Sequence, residues 1–157
     1  MHTTQVILLV EDSDEDYEAL VRALRGIDDM VSLYRCRRAD EVIEYLHGQG
    51  HFALPAPAPR PVLILLDLNL PGIDGRDLLA MLKGEAYSQA IPVVVVTTSH
   101  NPRDIAWCYA HGADGYQVKG MDYPQFSQAL RLHVEHWLQA SRPPANAEGR
   151  CGTVTAD

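Results

Sequence analysis

The sequence predicts an α/β fold in which a doubly wound parallel sheet carries helices on both faces. Three features predict it. Val62-Leu63-Ile64-Leu65-Leu66 is an unbroken aliphatic run, the habit of a strand covered on both sides, and residues 6–10 and 92–96 form similar runs. Between such runs, apolar residues recur at helical spacing. Strand and helix alternate five times along the chain, which calls for right-handed crossovers.

The first run, residues 6–10, ends in Glu11-Asp12. Ser13 is followed three residues later by Asp16, a capping-box signature opening a helix, with Tyr17, Leu20, Val21 and Leu24 as its apolar stripe and Gly26 closing it. Six of the eight residues from Glu11 to Glu18 are acidic. Asp14, Glu15 and Asp16 are read as a solvated first turn, because acids favour the positive helix N-terminus. Glu11 and Asp12 precede the cap, at a strand end, and are read as site residues. Val31-Ser32-Leu33-Tyr34-Arg35-Cys36 is a half-polar strand suited to a sheet edge, and Ala39, Val42, Ile43 and Leu46 mark the second helix.

Residues 48–61 form a long connection. Pro55, Pro57, Pro59 and Pro61 favour an extended backbone there, so it is read as an insertion within the domain rather than a boundary. The third strand ends at Asp67 and turns at Pro71-Gly72. Leu78, Leu79 and Leu82 mark the third helix, and residues 92–99 a fourth strand ending in Thr97-Thr98-Ser99. Ile105, Cys108 and Tyr109 mark a fourth helix capped by Gly112, and residues 114–119 a fifth strand ending in Lys119. Phe126, Ala129, Leu130, Val134 and Trp137 mark a last helix over about residues 124–140. From Arg142 on, a polar tail is expected to be disordered. The expected strand order is 2-1-3-4-5, the flavodoxin-like solution, with the first and third strands meeting at the switch point where open sheets bind ligands.

Composition narrows the function. At 157 residues the chain is long enough for one domain with a sizeable core. A net charge of −8 argues against a basic nucleic-acid face. The three cysteines are widely spaced and give neither a disulfide framework nor a zinc pattern. The start lacks the features of a signal peptide, and no apolar run is long enough to span a bilayer, so a cytoplasmic protein with no membrane association is expected.

In the order 2-1-3-4-5, Glu11, Asp12 and Asp67 converge, with Thr97 and Lys119 opposite. Carboxylates this close would raise one another's pKa unless a cation joined them, and an oxygen-only set open to water and phosphate suits Mg²⁺. Asp12 and Asp67 are expected to bind it directly, with the Asn69 backbone carbonyl and Glu11 (through water) completing the set. Asp67 is read as a phosphate acceptor, since carboxylates can form acyl phosphates. Lys119 then offers a point charge to one phosphoryl oxygen and the Thr97 hydroxyl a hydrogen bond to another.

Glu11-Asp12, Asp67, Thr97 and Lys119, each at a strand end and in this order, resemble the receiver domain of two-component response regulators. The resemblance covers nearly the whole chain, with a domain over residues 5–141 and no output domain in the tail over 142–157. It implies a phosphoaspartate switch charged by a sensor histidine kinase or a phosphotransfer protein and passed on through protein contacts. It also implies that Tyr116 is an aromatic switch that turns inward with Thr97, and that Asn69, Thr98 and Ser99 tune access to the phosphate and its hydrolysis. The family usually has a cis proline after the lysine; here it is Gly120, leaving a cis bond enforced by packing or a trans, looser loop. The Pro-rich insertion and the residue 68–72 turn resemble the single-domain regulators paired with bacteriophytochromes.

Leu132, Trp137 and Leu138 extend the last helix beyond a minimal receiver, which points to a homodimer. His133 and His136 are read as surface residues rather than metal ligands, and Trp107 and Trp137 as packing residues. Two other functions compete. One is a phosphate sink or relay built on the same pocket. The other is an aspartyl-phosphate hydrolase of haloacid dehalogenase type, whose general acid would sit where Asn69 stands and which Asn69 cannot supply.

Overall fold

The computed structural model describes residues 4–50, 58–120 and 122–141. The strands are β1 (Gln5–Val10), β2 (Val31–Cys36), β3 (Leu63–Leu66), β4 (Val93–Thr97) and β5 (Gly115–Val118). The helices are α1 (Asp14–Ala23), α2 (Ala39–His47), α3 (Gly75–Gly84), α4 (Pro102–Ala110) and α5 (Tyr123–Ser141). All the strands are parallel, in the order β2-β1-β3-β4-β5 expected from the sequence.

Burial follows the residue pattern. Every residue of β3 and β4 is buried, whereas β2 alternates and lies at an edge. On one face Leu8, Val10, Ile64, Leu66, Val93 and Val95 pack with Val42, Leu46, Leu78, Leu79, Leu82 and Cys108 from α2, α3 and α4. On the other, Ile7, Leu9, Leu63, Leu65, Val94 and Val96 pack with Leu20, Phe126, Leu130, Val134 and Leu138 from α1 and α5. The one-residue alternation feeds both cores, and each fully buried aliphatic contributes about 1.5–3 kcal/mol.

Two local expectations need correction, and the alternative left open at Gly120 is decided. Helix α1 ends at Ala23 with Leu24 as its cap, so Gly26, at φ 72°, shapes the loop beyond the helix rather than closing it. No described peptide bond is cis, so the Lys119–Gly120 bond is trans. Of the surplus on α5, Leu138 is part of the core and Trp137 packs against it, leaving Leu132, 63% exposed, as its apolar outward residue. Part of the Pro-rich connection, residues 51–57, and the tail from Arg142 lie outside the described residues.

Candidate functional site

Backbone pairing brings the site together. Val10 pairs with both Cys36 and Leu66, Leu66 with Val95, and Thr97 with Val118, so the carboxyl ends of the strands form one rim. The Glu11 amide donates to the Cys36 carbonyl at 3.0 Å and the Asp67 amide to the Val10 carbonyl at 3.1 Å. These bonds extend the ladder one residue past the strands and fix the first acid beside the acceptor candidate.

Glu11 and Asp67 are buried, 1% and 6% exposed, whereas Asp12 is exposed. One carboxylate oxygen from each of Glu11, Asp12 and Asp67 lies within 4.8 Å of the others. Hard oxygen donors so spaced, with one member open to water, fit a divalent cation. Asp67 Oδ1 accepts from the Asn69 amide at 3.1 Å, a bond that turns the chain away from the strand. The next turn is tight: the Gly75 amide donates to the Leu68 carbonyl at 2.9 Å, and Asp74 caps α3 by accepting from the Arg76 amide at 2.8 Å.

Lys119 crosses this acid group. Its backbone amide donates to the Thr97 carbonyl at 2.7 Å, and its side chain, 9% exposed, donates from Nζ to Glu11 Oε2, to Asp16 Oδ2 at 2.9 Å and to Asp67 Oδ2 at 3.1 Å. The trans bond to Gly120 thus coexists with a firmly anchored side chain. Burial pushes the Glu11 carboxyl up to about 7; the hydrogen bond from Lys119 pulls it back only in part, and the Asp67 charge adds to the rise. Burial opposes the charge on Lys119, but the Glu11 hydrogen bond and the Asp67 and Asp16 carboxylates outweigh it, so its pKa is raised.

Thr97 is fully buried at the end of β4, and its Oγ1 accepts from the Ser99 amide at 3.5 Å. Thr98 is exposed. Tyr116 is half-buried and donates its hydroxyl proton to the Ser99 carbonyl at 2.8 Å. Ser99 Oγ in turn donates to Asp104 at 2.6 Å, and Arg76 binds Asp104 at 3.0 Å and Asp74 at 3.3 Å. The residues just beyond Thr97 are therefore tied to β5 and to the first turns of α3 and α4.

Sequence reasoning missed several of these residues. Its sequence context places Asp16 in a solvated first turn, yet its carboxylate reaches Lys119. Arg35 anchors the acid loop, donating from Nε to the Glu11 carbonyl at 3.0 Å and from Nη1 to Asp14 at 2.7 Å while lying 4.4 Å over the Tyr17 ring. Gly75 is required by the approach of α3 to the acceptor turn. Arg35 carried no signal stronger than charge, and Asp16 only its capping-box spacing to Ser13; Gly75, three residues after a Pro-Gly turn and next to the capping Asp74, carried a clearer one.

Residues 7–131 match the response regulator receiver domain family. Response regulator Rcp1 of Synechocystis is 36% identical over 141 residues, an alignment covering 90% of this chain and 94% of that protein. Among solved structures, the phosphorylated cyanobacterial phytochrome response regulator RcpA superposes with a TM-score of 0.79 at 35% identity, covering 91% of this chain and 100% of the other. The Mn²⁺-bound form of Rcp1 gives 0.77 at 37% identity, covering 90% and 99%. No described helix is long and apolar enough to cross a membrane. With its parallel sheet, its strand-end acids and this match along most of its length, the chain belongs to the response regulator receiver domain family.

Proposed function

We propose that the protein is a cytoplasmic single-domain response regulator that takes a phosphoryl group from a sensor histidine kinase, of phytochrome type, onto Asp67. The observation that carries this reading is the placement of Asp67 at the end of β3, in bonding contact with Lys119 and within 4.8 Å of both other acids. An Asp67 carboxylate oxygen attacks the phosphorus, the bond from phosphorus to the kinase imidazole nitrogen breaks, and the imidazole keeps the electron pair. Mg²⁺, held by Asp12, Asp67, the Asn69 carbonyl and Glu11, would supply neutralisation of the charge on the transferring group. Lys119 takes one phosphoryl oxygen and Thr97 another, and Tyr116 follows Thr97 inward. Asn69, Thr98 and Ser99 border the phosphate and set how fast water removes it.

The names of the phytochrome response regulator RcpA and the bacteriophytochrome response regulator RtBRR support the phytochrome pairing; RtBRR is 31% identical with a TM-score of 0.70. Exposed Leu132 on α5 supports the proposed homodimer. Transfer from a phosphorylated phytochrome kinase to the wild-type protein, and not to Asp67→Asn, tests the reading. Transfer that persists in the variant overturns it.

A further inference from the structure

The three protons of the Lys119 ammonium are all used, on Glu11, Asp67 and Asp16. Glu11 and Asp67 belong to the acid group that fits a cation; Asp16 comes from the first turn of α1 and does not. Its position has a local cause. Ser13 caps α1 by accepting from the Asp16 amide at 3.3 Å, and in a complete capping box the Asp16 carboxylate would return to the Ser13 amide. Glu11 Oε1 already accepts from that amide at 3.1 Å. The Asp16 carboxylate is thereby free to reach across to the end of β5.

We propose that Asp16 is a positioning residue that holds Lys119 in the unphosphorylated protein and competes with the phosphoryl group for it. This rests on the phosphoacceptor reading of Asp67. For Lys119 to serve a phosphoryl oxygen, one of its three bonds has to open. Side-chain exposure selects which: Asp16 is 41% exposed, against 1% for Glu11 and 7% for Asp67, so Asp16 returns to water at the lowest cost. Asp16 therefore sets how readily the pocket accepts a phosphoryl group or its mimic, without touching that ligand.

The test is the affinity for beryllofluoride, a phosphoryl mimic, in saturating Mg²⁺. Asp16→Asn keeps the amide that Ser13 caps and removes only the competing charge; a partly exposed ion pair predicts a gain of about two- to fivefold. Asp16→Glu restores a carboxylate and should return to the wild-type value. Asp14→Asn is the charge control, since Asp14 pairs with Arg35 and Arg37 instead. An unchanged or weaker Asp16→Asn variant overturns the proposal while leaving the acceptor reading intact, as does an equal gain in Asp14→Asn, which would mark a general charge effect. A wild-type protein that neither binds beryllofluoride nor labels on Asp67 removes the acceptor reading, and this proposal with it.

Discussion

Gly75 sits so close to the acceptor turn that a Cβ on it would lie 2.3 Å from the Asp67 carbonyl oxygen and 2.6 Å from the Leu68 Cα. Both obstacles are backbone, so neither can swing aside. Gly75→Ala should therefore push α3 off the Asp67 turn, at a cost of about 1–3 kcal/mol in stability, and weaken divalent-metal binding more than the stability loss alone explains. Urea unfolding beside a Mg²⁺ titration checks both. Gly84, where a Cβ meets nothing within 4 Å, is the matched control, and Gly84→Ala should be neutral or slightly stabilising.

Lys119→Ala leaves Glu11 and Asp67 buried without their shared counter-ion. The metal-free variant should lose about 3–5 kcal/mol, the range for breaking a buried ion pair, to the extent that the acids stay ionised. Mg²⁺ should recover much of that loss and bind more tightly than to wild type, because no ammonium shares the Glu11 and Asp67 carboxylates. Asp67 should still be labelled by acetyl phosphate, with a blunted conformational response. Denaturant melts with and without Mg²⁺ measure the first effect; weaker Mg²⁺ binding in the variant would contradict the second.

The raised Glu11 pKa sets a pH dependence. In the unfolded chain this group titrates near 4.5, and in the metal-free fold at about 7. The folded state therefore holds the proton more tightly, and the stability this confers is complete below the unfolded value and lost as pH rises through the folded one. Metal-free protein should be less stable at about pH 8 than at about pH 5 from this group alone. Mg²⁺ needs the ionised acid, so its affinity should rise with pH up to about pH 7 and then level off. Calorimetric titrations across that range check it, and Glu11→Gln should flatten the profile.

Tyr116→Phe removes the hydroxyl that donates to the Ser99 carbonyl at 2.8 Å. Loss of one such bond should lower stability by about 0.5–1.5 kcal/mol. Labelling of Asp67 should persist, because the lost hydroxyl bonds the Ser99 carbonyl and not the acids around Asp67, while the response at α4 is reduced. Trp107, packed against the same core cluster as Tyr116, supplies the fluorescence readout.

The fold was legible because its determinants are local and redundant. The aliphatic runs of β1, β3 and β4 mark buried parallel strands by themselves, and the alternation of elements leaves few ways to order them. Glu11, Asp12 and Asp67 were legible for the same reason, as the acids that directly follow such runs, and Lys119 as the charged residue at the end of the fifth strand. Asp16 was not. Its role depends on Glu11 taking the Ser13 amide, a side-chain choice that spacing does not announce, and on β5 ending opposite α1, 103 residues away. The Arg76–Asp104 pair, separated by 28 residues, is likewise a product of packing. The bond at Gly120 and the inward position of Leu138 needed the whole chain's geometry.

The most direct test of the central claim is the intact mass of the protein after incubation with acetyl phosphate and Mg²⁺, followed by peptide mapping. One added phosphoryl group is expected, on the peptide holding Asp67, absent without Mg²⁺ and absent in Asp67→Asn. A protein that stays unmodified, or that carries the group on another residue, would contradict it.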